Sequence, residues 1–144
     1  MKLNHQISKW LILLGFLFAY LLFPSNNNSI DSWCFAAYVK HGENLFLSHH
    51  LLYNTLGFLW VRVFGFTGFD TLKLLIILNS LFAVATLYIL ELILSLLGLS
   101  GKKLLVWIAF AGSSWATMRY ATENETYIIP LFFSLLGSFF FIKF

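Results

Sequence analysis

Apolar residues fall into four long runs separated by short polar stretches, and the runs predict the helices. The first, 7–23, follows a basic start carrying Lys2 and Lys9. It reaches the low end of the roughly 17–25 residues that a membrane-crossing helix needs. No small-x-small site follows Phe23-Pro24, so the run reads as an uncleaved first helix rather than a signal peptide. Further runs at 72–97, 104–120 and 128–143 predict helices two, three and four. The basic turn Gly98-Leu99-Ser100-Gly101-Lys102-Lys103 joins the second to the third, and a polar loop at 121–127 joins the third to the fourth.

The long stretch 24–71 has a different texture. Ser25-Asn26-Asn27-Asn28-Ser29 breaks the first helix after Pro24. Asp31 or Ser32 is expected to cap a short helix through about Lys40, with Gly42 as its left-handed end. Trp33, Ala36 and Ala37 share one face at helical spacing, as in a helix lying on a membrane surface. A second segment, 49–64, is apolar nearly all round yet short for a crossing, which favours an interfacial or re-entrant helix. The expected fold is an all-α integral membrane domain over 1–144. It has about four transmembrane helices and one or two interfacial helices in the first extracytoplasmic loop.

Composition strengthens the membrane reading. Hydrophobic residues make up 60% of the chain and charged residues 10%, with a mean hydropathy of +0.83. A soluble domain carries about 25% charged residues. The net charge of +3 does not point to nucleic acid, because the basic residues sit at the ends of apolar runs with no basic stripe. They follow the positive-inside rule instead. With both termini cytoplasmic, Lys2, Lys9, Lys102, Lys103 and Lys143 all lie inside. Were 49–64 to span, Lys102 and Lys103 would move outside. Within 72–97, Asn79 and Glu91 interrupt the apolar run, and Glu91 is close enough to the end to snorkel to the cytoplasmic interface. Cys34 is the single cysteine, without CxxC or Cys/His spacing, and reads as a structural thiol.

This topology gathers Asp31, His49, His50, Glu123 and Glu125 on the extracytoplasmic face. Carboxylates meeting there can bind a divalent cation or act as a general base, and histidines can hydrogen-bond a phosphate. Each also has a plainer role: Asp31 as a cap, Glu123 and Glu125 as solvated loop charges, the histidines at headgroup level. Adjacent histidines on a helix point about 100° apart, so zinc is not expected.

The local text adds a resemblance. Asp31-Ser32-Trp33 leads to Tyr38-Val39-Lys40-His41-Gly42-Glu43-Asn44-Leu45-Phe46 and then His49-His50-Leu51-Leu52-Tyr53, while Glu123-Asn124-Glu125-Thr126-Tyr127 joins helices three and four. With the order of helices and loops, this resembles the amino-terminal part of the GT-C membrane glycosyltransferases, such as protein O-mannosyltransferases, aminoarabinose transferases and the catalytic subunit of oligosaccharyltransferase. The resemblance implies transfer of a sugar from a polyprenyl-phosphate donor at the outer membrane face. By the same resemblance, Asp31 is the acceptor-orienting residue or base, and Glu123 or Glu125 is the second-loop acid. That acid binds a metal in some members, which makes magnesium or manganese the implied cofactor. His49, His50 and Arg119 are assigned to the lipid phosphate. The family core has more than four spans, so the resemblance also implies a portion of a larger module. Two other readings stay open. One is a non-catalytic membrane subunit whose outer loops bind a partner membrane protein. The other is a small transporter-like protein with Asn79 and Glu91 lining a path, although 72–97 carries no Gly or Pro break.

Overall fold

The structure, a computed structural model, describes residues 2–48 and 52–144. Thr71–Leu96 (α4) is its longest helix and the hub of the fold. The others are Lys2–Leu22 (α1), Ile30–His41 (α2), Tyr53–Phe64 (α3), Gly101–Ser113 (α5), Trp115–Thr122 (α6) and Ile128–Lys143 (α7). Every one of these packs against α4. A single 3-10 turn, Gly65–Thr67, follows α3, and no strand occurs among the described residues. The all-α class expected from the sequence is therefore present.

The count of crossings is a different matter. Among the described residues α4 alone is long and apolar enough to cross a membrane, with a mean hydropathy of 2.1 over its best window. Ile7–Leu22 and Ile128–Lys143 are apolar but shorter. The expected third span is two helices. Gly112-Ser113-Ser114 is the kind of small, hydroxyl-rich step that interrupts a helix, because the hydroxyls bond the backbone themselves. Ser113 Oγ donates to Ala109 O (2.8 Å) and Ser114 Oγ to Ala111 O (2.8 Å). Ser114 then turns extended (ψ 143°) and caps α6 by accepting from Thr117 N. The Gly112 carbonyl loses its partner in the next turn, and the buried Tyr20 hydroxyl of α1 donates to it instead (2.7 Å).

Two apolar clusters hold the helices together. Leu13, Leu87, Leu104 and Ile108 join α1, α4 and α5 at one end. At the other, Tyr20, Phe35, Val39, Tyr53, Leu75 and Ile128 bring α2 and α3 onto the bundle. Backbone approach is closest at two glycines. A Cβ on Gly57 would lie 2.7 Å from the Leu75 side chain, and one on Gly112 would lie 2.5 Å from the Phe16 ring. Trp60 Nε1 also ties α3 to α4 by donating to Leu74 O (2.9 Å).

α1 and α4 run antiparallel. Lys9, near the start of α1, meets Glu91, near the end of α4, at 3.3 Å. Both are buried, so Glu91 does not snorkel outward as the sequence suggested. The Lys9 ammonium also sits 5.4 Å from the ring centroids of Trp10 and Tyr88, and Ser95 Oγ donates to Glu91 (3.3 Å). The pair is enclosed and fully partnered, the condition under which a buried charge is tolerated.

Candidate functional site

At the opposite end of α4, the start of α2 and the segment between α6 and α7 are knitted into one polar cluster. α2 begins because Ser29 takes an extended conformation and its Oγ accepts from Ser32 N, an N-cap that leaves Asp31 free. This differs from the expectation that Asp31 or Ser32 caps the helix. The cap falls at Ser29, two residues before Asp31 and three before Ser32. The helix stops at Gly42, left-handed at φ 72°, as expected.

The end of α6 presents carbonyls with no partner inside the helix. Three neighbours satisfy them: Ser80 Oγ donates to Ala121 O (2.8 Å), Ser25 N to Thr122 O (2.8 Å) and Asn79 Nδ2 to Glu123 O (2.9 Å). Asn79 Nδ2 also donates to Glu125 O (2.7 Å), so one side chain of α4 fixes both ends of a tight turn in which Glu125 N donates to Glu123 O. Pro130 follows in the first turn of α7, where its missing N–H costs nothing.

Asn124 completes the weld. Its Nδ2 donates to Ser32 O (2.6 Å), its backbone oxygen accepts from Ser32 Oγ (2.9 Å), and its Oδ1 accepts from the Tyr53 hydroxyl. Burial pushes the Tyr53 hydroxyl well above its usual pKa, so it remains a donor at neutral pH. Asn79 Oδ1 lies within reach of the same hydroxyl at 3.3 Å. Asn79, Asn124 and Ser32 are each 0% exposed.

The two glutamates have distinct environments. Glu123 is fully buried: Oε1 accepts from Ser29 N (2.6 Å) and lies 3.3 Å from Ser32 Oγ, while Oε2 forms an ion pair with the Arg119 guanidinium but accepts no well-aligned hydrogen bond among the described residues. Glu125 is half-buried and, among the described residues, its carboxylate accepts from Ser29 Oγ alone (3.1 Å). Its carboxyl is raised above the ordinary range, first by burial and then by the charges of Glu123 and Asp31; the Ser29 bond and Arg119 oppose the shift. Asp31 is exposed in the first turn of α2, close enough for its charge to act on Glu125. Asp31 and Glu125 are thus the carboxylates that a molecule arriving from outside could meet, and Glu123 is not.

Arg119 is spent on Glu123, with its side chain about one-third exposed, so it holds the fold as well as any anion. His49 and His50 lie outside the described residues. Cys34, read from the sequence as a structural thiol, is a free and exposed one on α2. Among the described residues no group of three or more metal-capable side chains is gathered for the implied magnesium or manganese ion, and Glu123 Oε2 faces the Arg119 guanidinium. Sequence reasoning missed Ser29 and Ser32 as the partners of the acids, and Tyr53 and Asn124 as the members that tie α2, α3 and the segment after α6 together. The one available signal was Asn79, a polar residue inside an apolar run.

Compared with known proteins, the chain matches no family model, no curated protein and no solved structure.

Proposed function

We propose that the chain is a multi-pass integral membrane protein with both termini cytoplasmic, and that it forms the amino-terminal portion of a GT-C type transferase acting on a polyprenyl-phosphate sugar at the extracytoplasmic face. Large apolar side chains stand exposed along α1, α5 and α7, among them Trp10, Phe18, Trp107, Phe110, Phe133 and Phe141. So much exposed apolar surface suits a lipid surround better than water. Lys102 and Lys103 open α5 just past the end of α4, whereas Glu123 and Glu125 are held by Asn79 toward its start, a separation of basic and acidic residues that suits the proposed orientation.

The observation that supports the catalytic reading is the joining of the start of α2 to the segment after α6 through Ser29, Ser32 and Asn124, which leaves exposed Asp31 and half-buried Glu125 at the same end of the bundle. In this reading Asp31 orients the acceptor or takes its proton. Glu125 supports it from the rim, and Glu123 with Arg119 is framework. A second reading, a non-catalytic subunit, is favoured by a specific observation of its own: most of the polar contacts in the cluster serve the fold.

Asp31→Asn separates the two. The amide keeps the shape and does not disturb the Ser29 cap, so a structural role predicts little change. A base role predicts a loss of about 10²–10⁴-fold, because the amide cannot accept a proton. Sugar release from polyprenyl phosphate is to be followed in membranes carrying the complete protein, with the exposed Glu43→Gln as control. Near-normal turnover in Asp31→Asn transfers the assignment to the subunit reading.

A further inference from the structure

At the far end of α2 from the acids, a cavity of about 280 Å³ opens between α2, the last turns of α3 and the start of α4. Val39, Phe58, Val61 and Phe66 form apolar walls, and Lys40 and Arg62 supply two cations. Neither cation is in an ion pair among the described residues. The Arg62 guanidinium lies 4.9 Å from the Phe58 ring centroid, and stacking of this kind leaves its N–H edge available for an oxyanion. Exposed Lys73 stands in the first turn of α4 beside the cavity-lining Thr71. Of the acids close in sequence, Asp70 is used as the α4 cap, accepting from Lys73 N (2.8 Å), and Glu43 is exposed beyond the end of α2.

The surface beside these cations is apolar. Leu59, Val63 and Phe66 are 56%, 61% and 84% exposed and recur at helical spacing, so they form one stripe continuing past the end of α3. Cations bordering an exposed apolar stripe are the arrangement by which a helix sits at a lipid headgroup boundary. Free inorganic phosphate would use the cations and have no use for the stripe.

We propose that this corner binds the phosphate headgroup of an anionic membrane lipid, with Lys40 and Arg62 on the phosphate and Leu59, Val63 and Phe66 against the acyl chains. The proposal rests on the membrane reading above and is independent of the transferase reading. Two juxtaposed cations at a surface give roughly a ten- to thirtyfold preference for an anionic lipid.

The test uses the full chain in nanodiscs of phosphatidylcholine alone, of phosphatidylcholine with phosphatidylglycerol, and of phosphatidylcholine with millimolar inorganic phosphate. Retained lipid is counted by native mass spectrometry, and Tm is measured in each. The expected result is selective retention of phosphatidylglycerol and a raised Tm, both lost in Lys40→Gln/Arg62→Gln, restored in Lys40→Arg/Arg62→Lys and kept in Lys73→Gln. Equal retention by wild type and the glutamine variant overturns the proposal. An equal Tm rise with inorganic phosphate alone also overturns it, leaving a simple anion site. A chain that stays folded and monodisperse in buffer without lipid or detergent overturns the membrane reading itself, and that outcome is distinct from the other two.

Discussion

Asn79→Ala removes a fully buried amide that donates to Glu123 O at 2.9 Å and Glu125 O at 2.7 Å. Alanine leaves both carbonyls without those donors and opens a small void beside Tyr53, whose hydroxyl keeps Asn124 as its acceptor. A buried acceptor left unsatisfied costs about 1–3 kcal/mol. Hydrogen bonds inside membrane bundles average nearer 0.6 kcal/mol, because the unfolded chain finds other partners there. The bond to Glu123 O is buried and that to Glu125 O is partly buried, so the first penalty applies in full and the second in part. The expected loss is about 1–4 kcal/mol, the lower end being the membrane-bundle average for two bonds. Ser80→Ala frees one carbonyl, that of Ala121, and is expected to cost about half as much. Unfolding in a single detergent gives the two values, and hydrogen exchange at 123–126 reports whether the turn loosens. A loss below about 0.5 kcal/mol in Asn79→Ala, or unchanged exchange at 123–126, would refute the assignment of Asn79 as the pin of this turn.

Two further outcomes follow from the same geometry. The Glu125 carboxyl is raised above its ordinary value near 4.5, so folding favours its protonated form: the stability it contributes is complete below that value and is lost as pH rises through the raised one. Glu125→Gln keeps an acceptor for Ser29 Oγ, so it should be more stable than wild type near pH 7 and equal to it near pH 4; a constant difference at both pH values contradicts the shift. Native Cys34 is exposed on α2, so in the proposed orientation a membrane-impermeant maleimide should label it in intact cells without any engineered cysteine, and labelling confined to inverted vesicles overturns that orientation.

What could be read from the sequence was whatever a short window encodes. The apolar run behind α4, Pro24 with the asparagines after it, and Gly42 at the end of α2 each carry their structural meaning within a few residues. The break at Ser114 was equally local, in Gly112-Ser113-Ser114, but it sits inside an apolar run whose mean hydropathy hides it. The site was legible in part. The expected topology grouped Asp31 with the second-loop acids, but the different fates of Glu123 and Glu125 depend on contacts with residues more than 90 positions away in sequence. Ser29 reaching Glu123, and Lys9 reaching Glu91, are pairings that no periodicity in either segment announces. Local spacing could not separate a free carboxylate from one already claimed by an arginine four residues earlier, because Arg119 and Glu123 also read as an ordinary exposed helical pair.

The interruption at Ser114 also changes how α5 and α6 can vary independently of each other. In an unbroken helix each added or lost residue turns everything beyond it by about 100°, so Arg119 and Glu123 would be aimed by their residue count from the basic turn at Lys102. The extended step at Ser114 cancels that count: α6 takes its angle from its own cap and from Ser80, Ser25 and Asn79 at its far end. α5 instead takes its bearing from Leu104 and Ile108 in the core and from the Tyr20 bond to Gly112 O, so the two helices are aimed by separate sets of contacts and the Arg119–Glu123 pair keeps its bearing on α2.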